Sequence, residues 1–359
     1  MTTTITSVGL DVHARSTEAC ALHLPSGELR RRSFGPGHED VVAWLGELEE
    51  PHACYEAGPT GFGLYRAAQE AGIRIDVVAP GKTPRKSGER RKSDRIDAEL
   101  LARLLPSGAL SAIAVPTPRF EAARELARAR EQLRGDLMRA RHRVSKLLLR
   151  HGRVYPGKTT WTQAHRRWLA AQRFFDPCSE LAFLDYLAAV DGDVARKQAL
   201  DERLSRIAAE EDLWPTVARL RSFRGLDTLA ALIVHLEVHD WERFSRPGQL
   251  SGWLGLVPSL EQSGESSRQG AITKTGSRYA RRILVEAAWH YARPPRIGAT
   301  LRNRQQGQPA QVLQISWRAQ HRLYRLGRRL QERGKPATVA TVAVARELAC
   351  FLWAAVMAP

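Results

Sequence analysis

Short apolar-rich runs over residues 5–12 and 17–24, joined by a tight connection, read as two short strands. A third run of this kind, residues 28–34, follows the turn signal Pro25-Ser26-Gly27. Residues 41–48 change to helical spacing, 52–56 return to a short strand, and 61–71 read as a helix that Gly72 terminates. The β-branched run 73–78 ends at Pro80-Gly81, and a helix over 94–105 stops at Pro106-Ser107-Gly108. The order β-β-β-α-β-α-β-α predicts an α/β domain with a mixed sheet over residues 1–118.

Beyond that point the strand signal disappears. Residues 119–150 are rich in Arg, Ala and Leu and free of proline, which predicts a long helical arm or coiled coil. Tyr155-Pro156-Gly157 breaks it, and Trp161, Trp168, Phe174 and Phe175 read as helix anchors rather than a stacking platform for bases. Helix resumes over 180–211, so the arm spans 119–213. A third, mostly α region occupies 214–359; within it Ser263, Ser266 and Ser267 read as lying in a flexible Gly/Ser loop and 339–355 as an apolar closing helix.

Charge changes the picture more than composition does. The 359 residues carry 55 Lys+Arg against 38 Asp+Glu, a net charge of +17, and most of the cations are Arg, the side chain suited to bidentate phosphate contacts. The imbalance is segregated. Residues 1–80 hold 6 basic and 11 acidic side chains, whereas 81–170 hold 22 and 8. Residues 264–335 hold 16 and 3, including Arg318, Arg322, Arg325, Arg328 and Arg329 along one predicted helix. Such a chain expects a nucleic-acid partner. No apolar run approaches the ~18 residues that cross a bilayer, and four scattered cysteines suit a reducing compartment, so a cytoplasmic protein without a membrane partner is expected.

The acidic first region holds candidate chemistry. Asp11 and Glu56 each end an apolar strand, and Asp94 and Asp97 lie three apart at a helix start, on one face. Carboxylates gathered at a sheet edge repel unless divalent cations neutralise them, and two Mg²⁺ about 4 Å apart could clamp the oxygens of a phosphodiester.

These segments also resemble a family. Gly9-Leu10-Asp11-Val12, Tyr55-Glu56-Ala57-Gly58-Pro59-Thr60-Gly61 and Lys92-Ser93-Asp94-Arg95-Ile96-Asp97-Ala98 are similar, in order and spacing, to the three acidic motifs of the DEDD transposases of the insertion-sequence one-ten family. The resemblance implies a RuvC-like, RNase H-type first domain in which Asp11, Glu56, Asp94 and Asp97 form a catalytic Mg²⁺-binding tetrad.

The third region adds two further segments. Residues 220–229, around Gly225, look like a helix–hairpin–helix turn, which offers backbone N–H groups to phosphate. The loop Gln262-Ser263-Gly264-Glu265-Ser266-Ser267-Arg268 contains three serines that the residues alone do not separate; Arg268, Lys274 and Arg278 beside them would hold phosphates. In the family, a serine before a glycine in such a loop is the nucleophile, which carries over to Ser263. Members often have a second serine ahead of it, where this chain has Gln262.

The resemblance further implies DNA as donor and target, a structured noncoding guide RNA, and a homodimer or homotetramer with composite active sites. The expected activity is strand cleavage and rejoining through a phosphoserine link. The alternatives are a RuvC-like nuclease that uses water, and a non-catalytic nucleic-acid-binding protein.

Overall fold

The structure, a computed structural model, describes residues 4–80, 83–84, 93–263 and 266–359, with residues 261–263 and 266–268 described by their backbone alone. It divides into two compact units, residues 1–115 and 116–359.

The first unit is built on one sheet. Strands β1 (Thr6–Val12), β2 (Thr17–His23) and β3 (Leu29–Phe34) precede helix α1 (Glu39–Gly46). Then come β4 (Pro51–Glu56), α2 (Gly63–Glu70), β5 (Arg74–Val78) and α3 (Asp94–Leu104). The sheet order is β3-β2-β1-β4-β5. The first three strands pair antiparallel, and β4 and β5 join parallel to β1. This is the mixed sheet expected of a RuvC-like domain.

Strand alternation sorts its two faces. Val8, Leu10, Ala53, Tyr55, Ile75 and Val77 pack with Val41, Trp44 and Leu45 of α1 and Leu64 and Ala68 of α2. Cys20 and Cys54, from the opposite face, pack with Ala98, Leu101 and Ala102 of α3. Burial of Cys54 among these groups pushes its thiol well above the ordinary cysteine range, so it is an inert core residue.

The second unit is helical, with one hairpin. Helix α4 (Pro118–Arg150) opens it, with Thr117 as N-cap, and at 33 residues runs about 50 Å. Helices α5 (Gln163–Ala170) and α6 (Pro177–Ile207) pack on its distal half through Leu137, Val144, Leu169, Phe183 and Val190. Helices α7 (Trp214–Arg221), α8 (Thr228–Val238) and α9 (Pro247–Trp253) then lead into the hairpin of β6 (Pro258–Ser263) and β7 (Ser266–Ile272). Helices α10 (Arg278–Trp289), α11 (Ala299–Gln305), α12 (Ala310–Glu332) and α13 (Ala337–Val356) complete the unit. Buried Glu131 of α4 bonds Arg130 at 2.6 Å and Arg282 of α10, fastening the long helix to the helical body.

Two sequence expectations need correction. Helix α13 is long and apolar enough, by length and composition, to cross a membrane. It owes that apolarity to its place in the core, where Val344, Ala345, Leu348, Ala349, Leu352 and Ala355 are all buried. Ser263, Ser266 and Ser267 stand not in a flexible loop but on the paired strands Pro258–Ser263 and Ser266–Ile272, with Gln262 opposite Ser267 and Ser263 opposite Ser266.

Candidate active site

The acidic motifs meet where β1, β4 and α3 come together in the first unit. Leu10 and Tyr55 are register partners, and both face the α1/α2 side. The next residue along each strand, Asp11 and Glu56, therefore turns to the α3 side from neighbouring strands. Helix α3 can lie on that side because Gly9 has no side chain. A Cβ there would fall 2.0 Å from the carbonyl oxygen of Ala98 and 2.5 Å from the nitrogen of Ala102. Ser7 adds a hydrogen bond from its hydroxyl to the carbonyl of Ala102, at 2.7 Å.

Ser93 caps α3 by accepting from the backbone N–H of Ile96. Asp94 and Asp97 stand in the helix's first turn, where the macrodipole favours carboxylates. Just after β1, Nε2 of His13 lies 3.3 Å from Oδ2 of Asp11 and 3.7 Å from Oδ2 of Asp94. One ligand atom from each of Asp11, His13 and Asp94 lies within 4.8 Å of the others.

Electrostatics explains what this cluster lacks. Burial raises the Asp11 carboxyl above its ordinary value. The imidazole of His13 opposes that rise, while the charges of Asp94 and Asp97 add to it. Other acids on the same side are neutralised within the fold. Glu99 bonds Arg31 at 2.6 Å and Arg103 at 2.7 Å, and those bonds hold its carboxyl below the usual range. Glu18, the cross-strand partner of Asp11, accepts from Ser33 at 2.7 Å and from Arg95 at 3.4 Å. Among the described residues, the ion pairs of Asp11 and Asp94 are with His13. A donor set of carboxylate oxygens with one imidazole suits a divalent cation, which would supply the missing positive charge.

Glu56 is half-buried and accepts a 2.5 Å hydrogen bond from the hydroxyl of Thr83. Asp97 acts on Asp11 through its charge. His13 and Glu18 carry parts of this site that motif reading passed over, and Gly9, inside the first motif, has a packing role that the motif did not show. The spacing Asp11-x-His13 was the available signal, since residues two apart at a strand end share a side.

The remaining predicted residues lie in the second unit. Ser263 is the last residue of β6; Gly264 and Glu265, between the strands, lie outside the described residues. Arg268 stands opposite Glu261 on β7. Lys274 sits in a tight crossing under the hairpin, at φ +55°, and its N–H donates to the carbonyl of Gly255 at 3.1 Å. Arg278 opens α10 and donates to the hydroxyl of Tyr279 at 2.8 Å. Gly225, at φ +86°, turns the chain between α7 and α8 against α10; a Cβ there would meet the carbonyl oxygen of Ala287 at 2.7 Å.

Comparisons with known proteins agree along the chain. Residues 8–152 match the DEDD transposase family of IS110, described as "Transposase". Residues 217–304 match "Transposase IS116/IS110/IS902 family". The protein y4qE of Sinorhizobium fredii, whose name is that of a transposase, is 42% identical over 86% of this chain and 76% of its own length. The transposase for insertion sequence element IS1533 of Leptospira borgpetersenii is 32% identical over 91% of this chain and 97% of its own. The transposase for IS1111A of Coxiella burnetii is 26% identical over 62% of this chain and 61% of its own.

Proposed function

This chain belongs to the IS116/IS110/IS902 family of transposases, DNA-cleaving and DNA-joining enzymes, and from that premise we propose that it exchanges strands through a covalent serine–DNA link. The observation that carries the reading is the cluster of Asp11, His13 and Asp94, to whose negative charge Asp97 adds, beside the neighbouring strand that ends in Glu56. Asp11, Glu56, Asp94 and Asp97 would hold Mg²⁺, which when bound supplies positive charge for a phosphate in transition.

Ser263 is the nucleophile in this reading. Its Oγ bonds to phosphorus as one bridging sugar-oxygen bond to the same phosphorus breaks. The serine proton leaves Oγ, and the departing sugar oxygen takes up a proton. The phosphoester keeps the energy of the broken bond, so a strand hydroxyl can reverse the step without ATP. Arg268, Lys274 and Arg278 supply the cations that hold the flanking backbone, and Gly225 shapes a second phosphate contact.

The acids lie in the first unit and Ser263 in the second. That separation supports an active centre assembled from two copies of the chain, as a homodimer or homotetramer. The family implies a structured noncoding RNA as the guide, and the +17 net charge suits a nucleic-acid partner of either kind.

Denaturing electrophoresis after reaction with a nicked duplex tests the nucleophile. The wild-type protein should run as a DNA adduct, and Ser263→Ala should abolish it without loss of DNA binding. Efficient cleavage with no trappable adduct would make water the nucleophile. An adduct that survives in Ser263→Ala but not in Ser266→Ala would move the role three residues along. Mixing Asp11→Ala and Ser263→Ala proteins should restore part of the activity, and no recovery would contradict shared active centres.

A further inference from the structure

A second like-charge cluster lies in the helical unit, with the opposite sign. The turn at Gly225 and the segment after α10 enclose a groove of about 830 Å³. Arg224, Arg293, Arg296, Arg304 and His290 line it, with Asp227 as the acid among the lining residues. The carboxylate of Asp227 is already engaged, capping α8 by accepting from the N–H of Ala230 at 2.8 Å.

The groove is built rather than incidental. Arg224 donates to the carbonyls of Arg293 and Pro294 at 3.2 and 2.9 Å, tying the segment to the turn. Arg304 donates to the carbonyl of Leu226, while its Nε is buried without a hydrogen-bond partner. Gln305 and Ser316 hold the carbonyl of Ser222 at 3.0 and 2.9 Å, and the N–H of Arg296 donates to Gln320 at 3.0 Å. Arg293 and Arg296 are left exposed at the mouth, with no side-chain partner on the described residues.

Fixed cations this close together are costly without an anion. Burial, then the charges of Arg224, Arg293 and Arg304, push the His290 imidazole below its ordinary value. Burial likewise depresses Arg224 and Arg304. A planar guanidinium held by one nitrogen on a backbone carbonyl keeps its other N–H groups for bidentate contact with a phosphate.

We propose that this groove seats consecutive phosphates of a DNA duplex on Arg224, Arg293, Arg296 and Arg304, as a DNA-backbone site separate from the serine hairpin. It carries no base readout; it fixes the register of the duplex on the second unit. The inference rests on the phosphate contact proposed at Gly225 and extends it to the arginines of the groove, while it does not depend on Ser263 being the nucleophile.

The test is salt-dependent binding of a labelled 30-bp duplex to the full-length protein, followed by fluorescence anisotropy. Each phosphate contact contributes a slope of about −0.9 in log affinity against log salt. The double variant Arg293→Gln/Arg296→Gln should make the slope shallower by roughly two and weaken binding at low salt by about tenfold or more. Arg293→Lys/Arg296→Lys should recover most of the slope, which a merely structural role would not require. An unchanged slope in the Gln variant, with an unchanged melting temperature, overturns the site. Weakened binding to an RNA hairpin with unchanged duplex binding overturns the assignment to DNA.

Discussion

The acidic cluster of the first unit and the basic groove of the second are built by the same device with opposite charge. At each, a glycine lets a helix backbone come closer than any side chain would allow: Gly9 under Ala98 of α3, Gly225 under Ala287 of α10. Each gathers like charges and depresses its own ionisation, raising Asp11 at one and lowering Arg224, Arg304 and His290 at the other. Many other charges are neutralised within the fold, as at Glu99 with Arg31 and Arg103 or Glu131 with Arg130 and Arg282. The two clusters call for complementary guests, a divalent cation and a phosphate chain, which a DNA-cutting enzyme brings together.

The comparison breaks most visibly at the acids. Asp11→Asn should lower strand cleavage by roughly 10⁴-fold or more, the scale expected when a member of a cooperating catalytic set is removed. It should leave the salt slope of duplex binding unchanged, because the groove is untouched. Near wild-type cleavage by Asp11→Asn would remove the cluster from the chemistry.

Acid should separate the units next. His235 is buried in α8, accepts a 3.1 Å hydrogen bond from the indole of Trp241, and is pushed down to about 4 by burial. Below its unfolded value of 6.5 the unfolded chain takes up a proton that the folded one resists. Stability of the second unit should therefore fall by about 3 kcal/mol as pH drops from 6.5 to 4, and His235→Gln should flatten that limb. Tryptophan fluorescence reports it, since eight of the nine tryptophans lie in residues 116–359.

Asp11 works in the other direction. Its folded carboxyl is raised above the unfolded value of 3.8, so its ionisation destabilises the fold at neutral pH, and the penalty is relieved as pH falls through the raised value. The glycines should come after His235 in size. Gly9→Ala and Gly225→Ala should each cost about 1–3 kcal/mol through overpacking against backbone, read by urea unfolding. Gly9→Ala should also impair cleavage, because α3 carries Asp94 and Asp97. The smallest effect is a modest rise in melting temperature for Asp11→Asn without divalent ions, absent at pH below 3.8. A fall instead would mean that the acids stabilise the fold unaided.

Much of this fold was legible in the chain because its strands are short apolar-rich runs between turn signals and its helices carry their own punctuation. Pro25-Ser26-Gly27 and Gly72 mark ends that the structure places within a residue or two. The β6–β7 hairpin was not legible. Its strands PSLEQS and SSRQGAI are largely polar on both sides, so no two-residue period marks them. The acids were visible as strand ends and a helix start, but not the means of bringing them together. That depends on Gly9, whose significance is the helix above it, and on His13, which ordinary loop composition disguises. The basic groove escaped for a similar reason. Arg224 is far in sequence from Arg293 and Arg304, and the turn at Gly225 with its backbone bonds makes them neighbours.

The most direct test of the acidic cluster is a Mn²⁺ titration of the full-length protein with bound duplex, followed by electron paramagnetic resonance. The account predicts one or two tightly bound ions per chain in the wild type and in Ser263→Ala, with loss of that binding in Asp11→Asn and weakening in Glu56→Gln. Equal Mn²⁺ binding by the wild type and Asp11→Asn would contradict it.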